Sequence, residues 1–196
     1  LHLGKSGRIA RQAGTMLPPF ETDDTLARLG DEIARWDPKT VICLGDSFDD
    51  LDAAEEISVQ GTATITQLQA GRRWVWIEGN HDPGPIALGG SHRNTLALDG
   101  LQFCHIASDQ SGEISGHYHP KHGLRGTGPA RPCFLYDADR LIMPAFGTYT
   151  GGLTSQAAPF LRLFPTGATA IMTGRTAIAV PVTKTPPSPR LRGRSC

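Results

Sequence analysis

Three short polar strings, each following a run that reads as a strand, constrain this chain more than anything else in it. They are GDSFDD at Gly45–Asp50, GNHD at Gly79–Asp82 and GHYH at Gly116–His119. Thr40–Leu44 is a short, continuous apolar run, and Arg73–Ile77 is a run rich in Trp and Val; such runs are typical of strands covered on both faces. Side chains that bind hard or borderline divalent cations would therefore collect at the ends of parallel strands. The mixture of Asp, Asn and His suits two adjacent metal ions better than a closed structural zinc site, which favours thiolates.

A length of 196 residues fits one domain that can bury a sizeable core. With 39% hydrophobic residues, 23 Gly and 15 Pro, the chain reads as loop-rich and globular. No apolar run approaches the roughly 18 residues that span a bilayer, and no secretory signal is visible, so the expectation is a cytoplasmic protein without a membrane partner. The formal net charge of +0 excludes the global basic field of a dedicated nucleic-acid binder, while leaving room for a local basic groove. Cys43, Cys104, Cys133 and Cys196 form no CxxC pair, and the first three sit in apolar runs, as buried reduced thiols do.

The clearest helix is Glu21–Trp36, where Leu26, Leu29, Ile33 and Trp36 form one apolar stripe. Thr22, Asp23 and Asp24 favour its N-terminus, and Pro38 ends it. Weaker helical stretches cover Asp50–Ile57 and Thr62–Ala70. Beyond the Pro/Gly-rich turn, Thr95–Leu98 and Leu101–Ile106 flank Asp99-Gly100, a strong hairpin signal. Pro132–Tyr136 with Arg140–Pro144, and Thr169–Thr173 with Thr176–Val182, read as two further hairpins. Alternating strand and helix followed by hairpins predicts two packed sheets with helices mostly outside. The tail at residues 183–196, rich in Pro, Ser and Arg, is expected to be disordered.

In this order and spacing the strings resemble the calcineurin-like metallophosphoesterase superfamily. The longer frame of LHLGKSGRIARQAG, LPPFET, LGDSFDD, WVWIEGNHDP, GEISGHYHPK and MPAFGTYTGGL is most similar to bacterial phosphoesterases associated with DNA ligase and a helicase in the DNA-damage response. The resemblance implies an α/β fold, a four-layer α/β/β/α sandwich over residues 1–182, with two metal ions at the strand ends. It implies Asp46 as the carboxylate bridging both ions and Asn80 as an amide ligand of the second. His105 and His117 would join Asn80, and His2 and His119 would hold the first ion. His81 resembles the non-ligand histidine that protonates or stabilises the leaving oxygen, and Asp82 would accept a hydrogen bond from its ring. Within GHYH, an extended backbone would put the rings of His117 and His119 on one side. Asp49 and Asp50 read as loop or helix-cap residues, and Gly4-Lys5-Ser6 as no phosphate-binding loop.

The implied activity is two-metal hydrolysis of a phosphoester, with DNA as substrate in repair. Manganese is the favoured ion, and iron, zinc and nickel are compatible. The alternatives are a small-molecule phosphatase or phosphodiesterase on the same fold, or a catalytically weakened subunit that binds a ligase or helicase. In the family the first motif reads Asp-x-His after a central strand, whereas the sequence opens at Leu1-His2-Leu3. The expectation is thus a fold whose first strand and first Asp would precede Leu1, and a first metal bound weakly without them.

Overall fold

The structure is a computed structural model. It describes residues 1–183 apart from 15–17, 19, 83, 85, 86, 125 and 127. Helix α1 covers Lys5–Ala13 and α2 covers Glu21–Trp36; strand β1, Thr40–Leu44, follows. Helices α3 (Leu51–Glu55) and α4 (Val59–Gln69) lead to β2 (Arg73–Ile77) and β3 (Ser91–Arg93). The remainder is mostly strand: β4 (Thr95–Leu98), β5 (Leu101–Cys104), β6 (Glu113–Ser115), β7 (Lys121–His122), β8 (Arg131–Tyr136) and β9 (Arg140–Ile142). Helix α5 (Ala158–Leu163) precedes β10 (Ala168–Met172) and β11 (Ile178–Val182).

The strands form two sheets. One is parallel, in the order β1-β2-β3; the other is mixed, in the order β11-β10-β8-β9-β6-β5-β4, with β7 paired to β8. Both faces of β2 are covered, which is why its sequence does not alternate with polar residues. Trp74 and Trp76 pack with Leu26 and Ile33 of α2 and Ile65 of α4 in one core. Val75 and Ile77 point the other way, to Leu96, Leu98 and Phe103 of the mixed sheet. A third core joins Cys133, Leu135, Ala170 and Met172 to Phe160 of α5 and to Phe164. Thus β1 and β2 are clamped between α-helices and a second sheet, and their C-terminal ends are held rigidly where the polar strings emerge.

The expected hairpin at Asp99-Gly100 forms, with φ of 51° and 80° at the two turn residues and β4 antiparallel to β5. The β8–β9 hairpin also forms, pairing Leu135 with Ile142. The second half is nevertheless more than a series of hairpins, because β6 lies parallel to both β5 and β9. The last hairpin joins Met172 to Ile178, so its loop is longer than a tight turn at Gly174-Arg175. Cys43, Cys104 and Cys133 are buried and free, and burial pushes the Cys43 thiol up to about 12. Cys196 and the tail beyond Thr183 lie outside the described residues. Among the described residues no helix is long and apolar enough to cross a membrane.

Candidate metal centre

The first residues of the chain run alongside the loop after β1. His2 and Leu3 donate their backbone N–H groups to the carbonyls of Asp46 and Ser47, both at 2.9 Å. Helix α1 is then tied to α2, since Glu21 Oε1 accepts the Ser6 N–H at 3.1 Å. These bonds bring His2 to the end of β1. His105, just past β5, reaches the same place because its Nδ1 lies 2.8 Å from the Leu44 carbonyl. Gly45 is required there: a Cβ on it would collide with the His105 ring.

Four of the expected residues have a left-handed backbone: His2 (φ 58°), Asp46 (47°), His117 (62°) and His119 (46°). GHYH is therefore not an extended strand. The left-handed turns at His117 and His119 send both rings towards the polar site, while Tyr118 turns away to stack edge-on against Phe160. Such backbone costs on the order of 1 kcal/mol or more per residue, and it persists where surrounding structure over-determines it.

The imidazoles form two facing pairs. His117 Nδ1 lies 3.1 Å from His105 Nε2, and His2 Nε2 lies 3.2 Å from His119 Nε2. Asp46 stands between them, its Oδ2 3.3 Å from His105 Nε2 and 4.0 Å from His2 Nε2. Asn80 Oδ1 is 2.8 Å from His105 Nε2. The five other residues expected as metal ligands thus gather around Asp46, and Asp46, His105 and His117 are spaced to hold a metal ion.

The tautomers follow from the partners. A carbonyl only accepts, so His105 Nδ1–H donates to Leu44 and its Nε2 faces the centre. The Nδ1 of His2 lies 2.9 Å from the Asp49 carboxylate, and that of His81 lies 2.7 Å from the Asp49 carbonyl. Each ring is pinned by one nitrogen and offers the other, the arrangement that orients metal-binding histidines. His105 Nε2 then meets Asp46 Oδ2 and Asn80 Oδ1, both acceptors. A proton or a cation between them reconciles these facing lone pairs.

The electrostatics agree with this geometry. Burial lowers the His119 pKa to about 3, helped by the nearby His2. Burial also lowers His2 and His117. Neutral imidazole is the form that binds metal. His105 moves up instead: burial pulls it down, but its bonds to Asp46 and Leu44 outweigh that. Burial raises the Asp46 carboxyl, yet its bonds to His105 and the His81 N–H hold it far below the usual carboxylate range.

Two expectations need correction. Asp82 does not hold the His81 ring. Its Oδ1 accepts from the N–H groups of Asp46 and Gly79 at 2.9 and 3.1 Å, and its Oδ2 from Ser47 and Phe48 at 2.7 and 3.3 Å. It braces the turn that presents Asp46. Burial keeps its carboxyl above the ordinary value even so. Asp49 is the second correction. Asp50 does cap α3, accepting the Ala53 N–H at 2.8 Å, but Asp49 is a fully buried carboxylate. Besides His2, it meets Lys5 Nζ at 3.3 Å and Arg8 Nε at 2.6 Å. The sequence held a signal for this. Lys5, Arg8 and Arg11 recur every three residues, a basic stripe on one helix face, and Arg11 in turn pairs with Asp50 and Glu56.

No protein-family model matches the chain, and no curated protein matches it. Among solved structures, it is similar to Pseudomonas putida nuclease MPE, with 28% identity and a TM-score of 0.65. The likeness covers 92% of this chain and 84% of that one. A nuclease neighbour and a cluster of Asp and His spaced for a metal ion fit a metal-dependent nuclease or phosphoesterase.

Proposed function

We propose that the chain is a two-metal phosphodiesterase acting on DNA, of the calcineurin-like kind, with the four-layer order helices, parallel sheet, mixed sheet, helix. The observation that carries the reading is Asp46 standing between two imidazole pairs whose rings are each pinned from behind or packed edge to edge. Three separate cores support the layer order: one between the helices and the parallel sheet, one between the two sheets, and one between the mixed sheet and α5.

His2, His119 and Asp46 would hold one divalent ion, and Asp46, Asn80, His105 and His117 the other. The donor set fits, because four imidazoles, an amide oxygen and one shared carboxylate would leave the ions net positive. When bound, such a pair supplies Lewis acidity and activates water for in-line attack on phosphorus. Asp46 would partly neutralise both positions. His81 is not among the ligands: its Nδ1–H donates to the Asp49 carbonyl, so the ring would carry a proton at Nε2 for the departing oxygen only as the imidazolium. Asp82 keeps Asp46 in place through the backbone. Manganese is the proposed ion on ligand type together with the sequence resemblance, and iron, zinc and nickel are compatible with the same donors. The repair setting, and association with a DNA ligase and a helicase, belong to this proposal through the sequence resemblance alone.

The test compares single-stranded DNA with a nitrophenyl phosphodiester and a nitrophenyl phosphomonoester, with manganese and after chelation. Chelation-sensitive cleavage of DNA and the diester supports the reading. Turnover of the monoester alone would make the protein a phosphatase, and no turnover alongside capture of a ligase or helicase would make it a weakened subunit.

A further inference from the structure

Outside the metal centre, three described non-glycine residues share its left-handed backbone: Asp37, Asp99 and Tyr149. Two have ordinary duties. Asp37 closes α2, its N–H donating to the Ile33 carbonyl at 2.8 Å, and Asp99 opens the β4–β5 turn. Tyr149, at φ 61°, lies in a turn closed by Thr150 Oγ1 donating to the Gly147 carbonyl at 2.9 Å. Glycine or asparagine is the usual residue for such backbone. Here a large aromatic side chain takes the position and stands 41% exposed.

The frame around Tyr149 is rigid. Arg28 Nη2 donates to the Phe146 carbonyl at 3.0 Å, with its guanidinium 4.8 Å from the Phe146 ring centroid. The Thr148 N–H donates to Thr25 Oγ1 at 3.1 Å, and the Thr148 hydroxyl donates to Asp24. Gly147 packs against the Leu1 carbonyl and Gly152 against the His119 carbonyl, neither with room for a Cβ. The loop carrying Tyr149 is thus fastened on one side to the neighbour of His2 and on the other to His119 itself. Lys121 Nζ donates to the Thr150 carbonyl at 3.3 Å, which places a cation beside the same turn.

We infer that Tyr149 is a base-stacking residue of the substrate site, holding a nucleobase next to the scissile phosphate; this rests on the nuclease reading. A strained, exposed aromatic fixed between two residues that flank the metal centre offers a π-face at low entropic cost. Every base can stack on it, so it favours single-stranded polynucleotide without reading sequence. Lys121 offers charge for the accompanying phosphate.

The experiment uses the full chain with manganese. It compares kcat/KM for oligothymidylate with that for bis-nitrophenyl phosphate in the wild type, Tyr149→Gly and Tyr149→Phe, and records thermal midpoints. In Tyr149→Gly the ratio of oligonucleotide to small diester should fall about 5- to 100-fold, through KM, as loss of one stacked base requires. Its thermal midpoint should hold or rise, since glycine relieves the backbone. Tyr149→Phe should retain the wild-type ratio. An unchanged ratio, an equal loss on both substrates with a lowered midpoint, or Phe behaving as Gly would each overturn the inference. A wild type that cleaves the small diester but no oligonucleotide is a separate result: it removes the nuclease reading, and Tyr149's role with it.

Discussion

Asp49 orients two histidines at once: its Oδ1 lies 2.9 Å from His2 Nδ1, and its backbone carbonyl lies 2.7 Å from His81 Nδ1. The same carboxylate is the buried partner of Lys5 and Arg8, so it fastens α1 to the site. Asp49→Ala removes the carboxylate but keeps the carbonyl. Metal affinity at the His2 and His119 position should fall about 10- to 100-fold, the usual effect of losing a ligand's hydrogen-bonded support. Unfolding in urea should show a loss of about 3–5 kcal/mol, because two cations are left beside a vanished partner. Calorimetric manganese titration and denaturation curves check both; unaltered values would show that His2 needs no such support.

Acid sensitivity of the metal-free protein should come in two steps. His119 has a folded pKa lowered to about 3 by burial and neighbouring charge. The unfolded chain therefore binds the extra proton first, and stability falls as pH drops below about 6.5. Burial raises the Asp49 carboxyl, but the His2 bond and the Lys5 and Arg8 charges bring it down to about 2. Its contribution, about 2 kcal/mol, is complete above the unfolded value near pH 4 and is lost as pH falls through about 2. His119→Gln should shrink the upper step, to which His2 and His117 also contribute, and Asp49→Asn the lower one, which Asp46 shares. Denaturation midpoints measured in chelator from pH 8 to pH 2 would expose either step as missing.

His81→Ala should leave metal content intact and lower kcat by about 10²–10⁴-fold on DNA. The loss should shrink for a nitrophenyl ester, whose leaving group needs no proton. Equal losses on both substrates would mean that His81 positions the phosphate instead.

Asp82→Ala leaves the N–H groups of Asp46, Ser47, Phe48 and Gly79 without their acceptor. Each unsatisfied buried donor costs about 1–3 kcal/mol, so the thermal midpoint and activity should fall together while the pH–rate profile keeps its shape. A displaced profile with an unchanged midpoint would restore Asp82 to the side of the His81 ring.

The β1 and β2 strands and their polar strings are readable in the sequence because β2 is buried on both faces and β1 packs, partly buried, against the same two cores, and a continuous apolar run followed by Gly-Asp or Gly-Asn has few other readings. The α2 stripe was readable for the same reason: Leu26 and Ile33 face a core. Helix α1 was not. It starts on Gly4 with no side-chain cap and no acid in its first turn, and is held by Asp49 and Glu21 from elsewhere in the chain. Asp49 escapes a local reading, since its cationic partners sit more than 40 residues away, on a helix whose one local sign is the basic stripe of Lys5, Arg8 and Arg11. The period-two spacing of GHYH is a strand signal, whereas His117 and His119 achieve the same convergence through left-handed backbone. For Asp82, adjacency to His81 suggested a side-chain partner, but its carboxylate is within reach of four backbone donors that no sequence pattern reveals.

The central claim is that Asp46 is shared by two metal positions. The direct measurement is the manganese content per chain at saturation, taken by elemental analysis for the wild type and Asp46→Ala after removal of free ion. The account predicts about two ions in the wild type and loss from both positions in the variant, not from one. A wild type that binds no manganese, or an Asp46→Ala protein that keeps both ions, would contradict it.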